Sequence, residues 1–187
     1  MADTITTETS RERLPIIPYT GHCSRAINFF KMPNVFFALG RTSPWAADET
    51  TDPAFVPPEP DMNATTLDEL IGMKKLSRQV LVKPDDSGSV IYGDTTWKVI
   101  GEDEALASGA HWVLCEATIL ESDLPLVDYR QIGIFSNVVK KADVSIEQTA
   151  LLPGEIESVG ILEVLQNRHV NTRQSGVKDL LYMIIEF

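Results

Sequence analysis

The hydrophobic positions of this chain fall into short runs, most of strand length, separated by turn residues. The first run is helical. Residues 22–32 (HCSRAINFFKM) group Ala26, Ile27, Phe29 and Phe30 as an apolar set, and Pro33 ends the helix because proline disfavours helical geometry in the residue before it. Asn34 to Leu39 (NVFFAL) is an unbroken apolar run closed by Gly40, the length of a strand rather than a helix. A second helix is expected where Thr66 and Glu69 stand at capping-box spacing, with Leu67, Leu70 and Ile71 as its stripe and Gly72 as its exit.

From there the pattern turns to strands. Arg78–Lys83, Ser89–Tyr92 and Thr95–Ile100 read as a three-stranded meander, joined by Pro84-Asp85-Asp86-Ser87-Gly88 and Gly93-Asp94 turns. Further strands are expected over 111–120, 128–135, 158–166 and 179–187, with turns at Pro125, Ser136-Asn137, Pro153-Gly154 and Asn167-Arg168. Many short strands with regular turn punctuation predict a mainly β, antiparallel, sandwich-like fold with two short helices. The closing LLYMIIEF has high β-propensity, one charged side chain and no proline, so it must be paired. Of the two ways to pair it, within the sheet or across a subunit interface, the first is expected, folding back on 158–166 through the polar stretch Asn167–Lys178.

Two segments escape this pattern. Residues 1–20 read as an extended polar arm ending in Pro15-Ile16-Ile17-Pro18, ahead of one β-rich domain over 21–187. Within that domain, residues 41–63 form a long Pro-rich loop, since Pro44, Pro53, Pro57, Pro58 and Pro60 exclude ladder strands and helix interiors. Trp45 and Phe55 are expected to anchor this loop on the body, with Trp45 at least half buried.

Charge narrows the function. A net charge of −11, from 16 basic and 27 acidic residues, comes with no basic stripe and excludes direct nucleic-acid binding. No apolar run approaches the ~18 residues that cross a bilayer, and the polar start (Asp3, Glu8) does not read as a signal peptide. A cytosolic product would keep Cys23 and Cys115 reduced and buried.

Candidate chemistry is sparse. His22-Cys23 are sequence neighbours whose side chains diverge by about 100° on a helix, which does not make a catalytic pair. His111 and Cys115 share a strand face but lie roughly 13 Å apart. No Cys-x-x-Cys or His-x-x-x-His spacing supports zinc, and Asp85-Asp86-Ser87-Gly88 lacks the ligand pattern of a calcium loop. Glu102-Asp103-Glu104 reads as a solvated acidic connection. Gly40-Arg41 is no phosphate loop. The residues imply no catalytic site, no cofactor and no metal.

The stretch Phe37-Ala38-Leu39-Gly40-Arg41-Thr42-Ser43-Pro44-Trp45, then Asp48-Glu49 and Pro57-Pro58-Glu59-Pro60, resembles the gene-eight baseplate wedge proteins of T-even-type contractile-tailed phages and their shorter relatives. Tyr129-Arg130-Gln131-Ile132-Gly133-Ile134, Gly160-Ile161-Leu162, Asn167-Arg168 and a terminal strand closing on Phe187 agree in order. The T-even member is longer, with insertions this chain lacks. The resemblance implies a non-enzymatic virion subunit in the tail baseplate, with a second copy, other wedge proteins and tail-fibre attachment proteins as partners. It gives Gly40, Arg41, Pro44 and Trp45 a role in fixing the loop and as candidate interface. Two other readings stand beside it. One is a receptor- or glycan-binding tail module using Trp45, Trp97 or Trp112; the other is a small glycan hydrolase with a carboxylate pair across a cleft.

Overall fold

The computed structural model describes residues 15–187. Most of the expected arm lies outside the described residues, and of it only Pro15–Pro18 are seen, extended and exposed before the first helix.

That helix, α1 (Tyr19–Phe30), starts three residues earlier than its apolar set suggests and buries Cys23, Ala26, Ile27 and Phe29 on one face. The next strand, β1 (Phe36–Gly40), is buried along its whole length. Its alternate residues serve two cores. Phe37 and Leu39 enter the main one, and Phe36 and Ala38 enter a second cluster with Leu67, Met73, Phe135 and Leu151. A strand covered on both faces has no polar side to display, which is why NVFFAL does not alternate.

The remaining strands are β2 (Gly72–Lys75), β3 (Arg78–Pro84), β4 (Val90–Tyr92), β5 (Thr95–Val99), β6 (Trp112–Ile119), β7 (Asp128–Ser136), β8 (Val139–Lys140), β9 (Ala150–Leu151), β10 (Ile156–Ser158), β11 (Ile161–Thr172) and β12 (Asp179–Glu186). They form two five-stranded antiparallel sheets, ordered β11-β7-β1-β2-β9 and β12-β6-β3-β5-β4, plus a β8-β10 pair. The main core lies between the large sheets, with Phe37, Leu39, Ile132 and Ile134 from one and Leu81, Val113, Cys115, Leu181 and Met183 from the other. The fold is mainly antiparallel β, sandwich-like, with two helices.

Five expectations need correction. The second helix is not at 66–72 but at α2 (Glu102–Ser108), between β5 and β6. Residues 61–71 instead run as turns beside the end of β1. Ile71 N–H donates to Leu39 O (2.9 Å), Arg41 N–H to Asp68 O (2.6 Å) and Asp68 N–H to Gln131 Oε1 (2.8 Å). Leu67 packs onto Gly40 and Gly133, where a Cβ would come within 2.6 and 3.0 Å of its side chain. Sheet-side hydrogen bonds and one buried leucine thus outcompete a one-turn helix.

The acidic trio, for its part, is the first turn of α2, where negative charge suits the helix dipole, and Gly109 closes that helix at φ +70. Nor are its acids simply solvated: Glu104 reaches Lys83 at 2.8 Å and Glu102 reaches Lys31 at 2.6 Å.

The three-stranded segment is not a simple meander, because β5 lies between β3 and β4. Residue 97 pairs with Pro84 on one side and Val90 on the other. The connection crosses so close to β5 that a Cβ on Gly88 would lie 2.1 Å from the Trp97 carbonyl oxygen. The Asp85–Gly88 segment is otherwise the expected turn, with Ser87 N–H donating to Asp85 Oδ1 at 2.9 Å and Gly88 N–H to Asp85 O at 2.9 Å.

No turn forms at Asn167-Arg168, since β11 continues to Thr172 through a register irregularity between Asn167 and Asn171. Consequently β12 does not return onto 158–166. It pairs along all its residues with β6, from Asp179↔Ile119 to Glu186↔Trp112, at the edge of its sheet. Arg173 steers that path. Its guanidinium is buried and donates to Asp179 Oδ2 (2.8 Å), Leu120 O (2.7 Å) and Pro125 O (3.1 Å), tying the β6–β7 loop to the entry of β12.

Candidate functional site

The loop of residues 41–63 leaves the end of β1 through Arg41, whose left-handed φ of 56° turns the chain out of the sheet. Three clamps hold it. The first is Glu69, itself at φ 46°, whose carboxylate accepts from Thr42 N–H (2.9 Å), Ser43 N–H (3.0 Å) and the Thr42 hydroxyl. This is capping chemistry applied to a segment 27 residues away, where the Thr66–Glu69 spacing pointed to a local helix start. Hydrogen bonds from Ser43 and Thr42 hold the Glu69 carboxyl down to about 2.

The second clamp is buried. Glu49 Oε1 accepts from Arg130 Nε at 2.7 Å and from Arg130 Nη2, with both side chains about 5% exposed, at 4% and 5%. Arg130 also donates to the Thr42 carbonyl, and Glu49 Oε2 accepts from Trp45 N–H at 2.8 Å. The Arg130 guanidinium holds the Glu49 carboxyl below the usual carboxylate range.

The third clamp is Trp45. Its indole Nε1–H donates to the Arg168 carbonyl at 3.0 Å, and the Arg41 guanidinium lies 3.9 Å over its ring centroid. Further along, Asn167 Nδ2 donates to Pro58 O (2.9 Å), and the Phe55 ring meets His169 edge-on at 5.9 Å. Arg168 and Asn167 belong to β11, the edge of its sheet, so the loop is laid along backbone that would otherwise be an open ladder.

Of the four residues singled out from sequence, Arg41, Trp45 and Phe55 lie against the body or one another. Arg41 spans Asp68 Oδ2 (3.0 Å) and Pro44 O (3.2 Å). Trp45 and Phe55 are more than half buried, and Pro44 is exposed. The residues the sequence reading did not single out are Glu49, Glu69, Arg130, Gln131, Asn167 and Arg168. A signal existed for most of them. The stretches 40–45 and 48–49 at the start of the loop, and 129–134 and 167–168 far along the chain, each carry part of the family resemblance, and they meet here. Between loop and body a groove of about 400 Å³ is lined by Trp45, Pro58, Asp68, Gln131 and Asn167. The loop's outer side presents Val56 at 75% exposure and Met62 at 101%.

The other candidates do not assemble a reactive site among the described residues. Cys23 and Cys115 are free and buried, and burial pushes both thiols up, away from the thiolate a nucleophile needs. His22 faces His111 at 5.6 Å, while His111 stacks on Trp112 at 3.9 Å and sits 3.2 Å from Glu186 Oε1. No group of three or more His, Cys, Asp or Glu among the described residues is placed to hold a metal ion. The tryptophans do not offer open platforms for a sugar: Trp45 lies under Arg41, Trp97 is buried, and Trp112 is stacked by His111.

A family model described as "Baseplate wedge 3 tail fiber network component" matches residues 14–187. Among curated proteins, this chain is 35% identical over 153 residues to virion protein 3 of Enterococcus phage phiEF24C, covering 79% of this chain and 80% of that protein.

Proposed function

The chain belongs to the phage baseplate family of wedge 3 tail fiber network components, and on that premise we propose that it is a non-enzymatic subunit that holds neighbouring wedge proteins of a contractile tail together through its clamped 41–63 loop. The observation that carries this reading is the convergence of three distant segments, carrying Glu69, Arg130 and Arg168, on one loop. Arg130, Glu49, Glu69 and Trp45 spend buried and charge-assisted interactions on holding a segment that contributes no strand and no catalytic group. Rigid preorganisation of an exposed loop is what a docking surface needs, because it removes the ordering entropy otherwise lost on association.

In this reading Val56 and Met62, exposed apolar side chains of the loop, are what it offers to a neighbour, and the wedge proteins and tail-fibre attachment proteins are the partners. The virion is where it acts, after assembly in the host cytoplasm. The test is a Val56→Asp, Met62→Asp double variant supplied in trans to a phage lacking the gene. Both positions are exposed, so the protein should fold and melt as the wild type does, yet fail to enter the baseplate. Normal incorporation would refute a docking role for the loop.

A further inference from the structure

We infer that the 41–63 loop receives a lysine-bearing segment of another virion protein, with one lysine side chain seated in the groove between the loop and the body. This rests on the docking reading above and names the chemistry of the partner. Charge is segregated along the chain. Residues 42–72 hold seven carboxylates and no lysine, arginine or histidine. The rest of the chain holds the other 20 acids, 27 less 7, against all 16 bases. More than half of the net charge of −11 thus comes from the loop and its return to the sheet. Three of the seven carboxylates are spent inside the fold: Glu49 on Arg130, Asp68 on Arg41, and Glu69 on the Thr42 and Ser43 N–H groups. The other four, Asp48, Asp52, Glu59 and Asp61, are exposed, and among the described residues no cation pairs with them. The local backbone does not require their charge either. Asp52 Oδ1 accepts from Ala54 N–H and Asp61 Oδ1 from Asn63 N–H, both at 2.8 Å, a role asparagine fills as well. Like charges are therefore kept on a segment stiffened by prolines, and a cationic partner relieves their repulsion.

The groove gives that cation a seat. Glu59, Asp61 and Asp68 line its roughly 400 Å³ together with the Trp45 ring, and among the described residues no basic side chain does. Asp68, although bonded to Arg41, keeps its carboxylate more than half exposed. The amides of Gln131 and Asn167 form a fixed part of the wall, since Gln131 Nε2 donates to Asn167 Oδ1 (3.0 Å) and Asn167 Nδ2 to Pro58 O (2.9 Å). Lysine suits this seat better than arginine. Its ammonium is a compact charge with three rotatable donors for carboxylates carried at separate positions, whereas the planar arginine fork matches a single carboxylate. Its aliphatic stem can lie along an apolar surface such as the Trp45 ring while the ammonium meets the acids. Val56 and Met62, exposed on the same loop, then cover apolar residues of the same partner segment.

The experiment uses the full chain in intact virions. A carbodiimide joins a carboxylate to an amine without a spacer, and trypsin releases residues 42–74 as one peptide because no lysine or arginine precedes Lys74. Mass spectrometry should find this peptide linked through Glu59 or Asp61 to a lysine of a different virion protein. Glu59→Gln with Asp61→Asn, supplied in trans to a phage lacking the gene, should lose that link and enter the particle roughly tenfold less often. Both positions are exposed, so the variant should melt as wild type does. Asp48→Asn with Asp52→Asn, outside the groove, should keep the link. No link from this peptide to a lysine of another protein, or normal entry of the Glu59→Gln, Asp61→Asn variant, overturns the lysine seat. If that variant enters normally while Val56→Asp, Met62→Asp is excluded, the seat fails and the docking reading stands. If both enter normally, both fail.

Discussion

Removing the carboxylate of Glu49 leaves the Arg130 guanidinium buried without its counter-charge, so the loop's stability is concentrated in a few atoms. Breaking a buried pair of this kind from one side costs about 3–5 kcal/mol, whereas replacing both partners with apolar residues of similar volume costs far less. Glu49→Gln should therefore lower the melting temperature more than Glu49→Gln combined with Arg130→Met, a comparison thermal denaturation makes directly. The pH dependence has a definite sign. Arg130 depresses the Glu49 carboxyl and the Thr42–Ser43 donors depress Glu69 to about 2, so both contributions are complete above the unfolded value of about 4.3 and are lost as pH falls through the folded ones. Wild type should lose stability on acidification below that unfolded value, and Glu49→Gln should lose less. Equal pH profiles for the two proteins would count against the buried ion pair. Trp45→Ala should cost about 2–4 kcal/mol, while Trp45→Phe, which keeps the ring and loses the bond to Arg168 O, should cost about 1 kcal/mol.

Among the elements, the strands were legible because burial writes itself into the sequence as alternation or as an unbroken apolar run. The turns at Ser136-Asn137 and Asp85–Gly88 were legible from residues suited to them. What was not legible depended on partners distant in the chain. Thr66 and Glu69 carry a local capping signature, but Glu69 spends its carboxylate on Thr42 and Ser43, and Leu67 is claimed by Gly40 and Gly133. Thr66→Ala should accordingly change stability by less than about 0.5 kcal/mol, where a helix cap would cost about 1; Leu67→Ala should cost about 2–4 kcal/mol. In α2 the signal is local: three acids ahead of Gly109 mark a helix start and stop. Arg173 sits in a polar stretch that looked like a solvated turn, and only the fold reveals it as the buried tie that sends β12 to β6. Deleting 183–187 removes Met183 from the core and strips β6 of half its partner. The truncated chain should be insoluble; a soluble product with a normal melt would contradict the placement of β12.

At the scale of the whole molecule, the candidate site was half visible. Arg41, Pro44, Trp45 and Phe55 lie within one stretch and attract notice together, but the Glu69 carboxylate, the Arg130 guanidinium and the Arg168 carbonyl that hold their loop come from elsewhere in the chain, brought close by pairing of β1 with β2 and β7, and of β7 with β11. The chain belongs to a phage baseplate family and carries a loop held on the body by the buried Glu49–Arg130 pair, the Glu69 carboxylate and the Trp45 indole. The measurement that tests this account most directly is a cryo-EM reconstruction of the intact tail, read for the contacts of residues 41–63. The account predicts that this loop keeps its Glu49–Arg130 and Trp45–Arg168 anchors and buries Val56 and Met62 against a different virion protein of the baseplate. A loop facing solvent in the assembled particle, or a chain lying outside the baseplate, would contradict it.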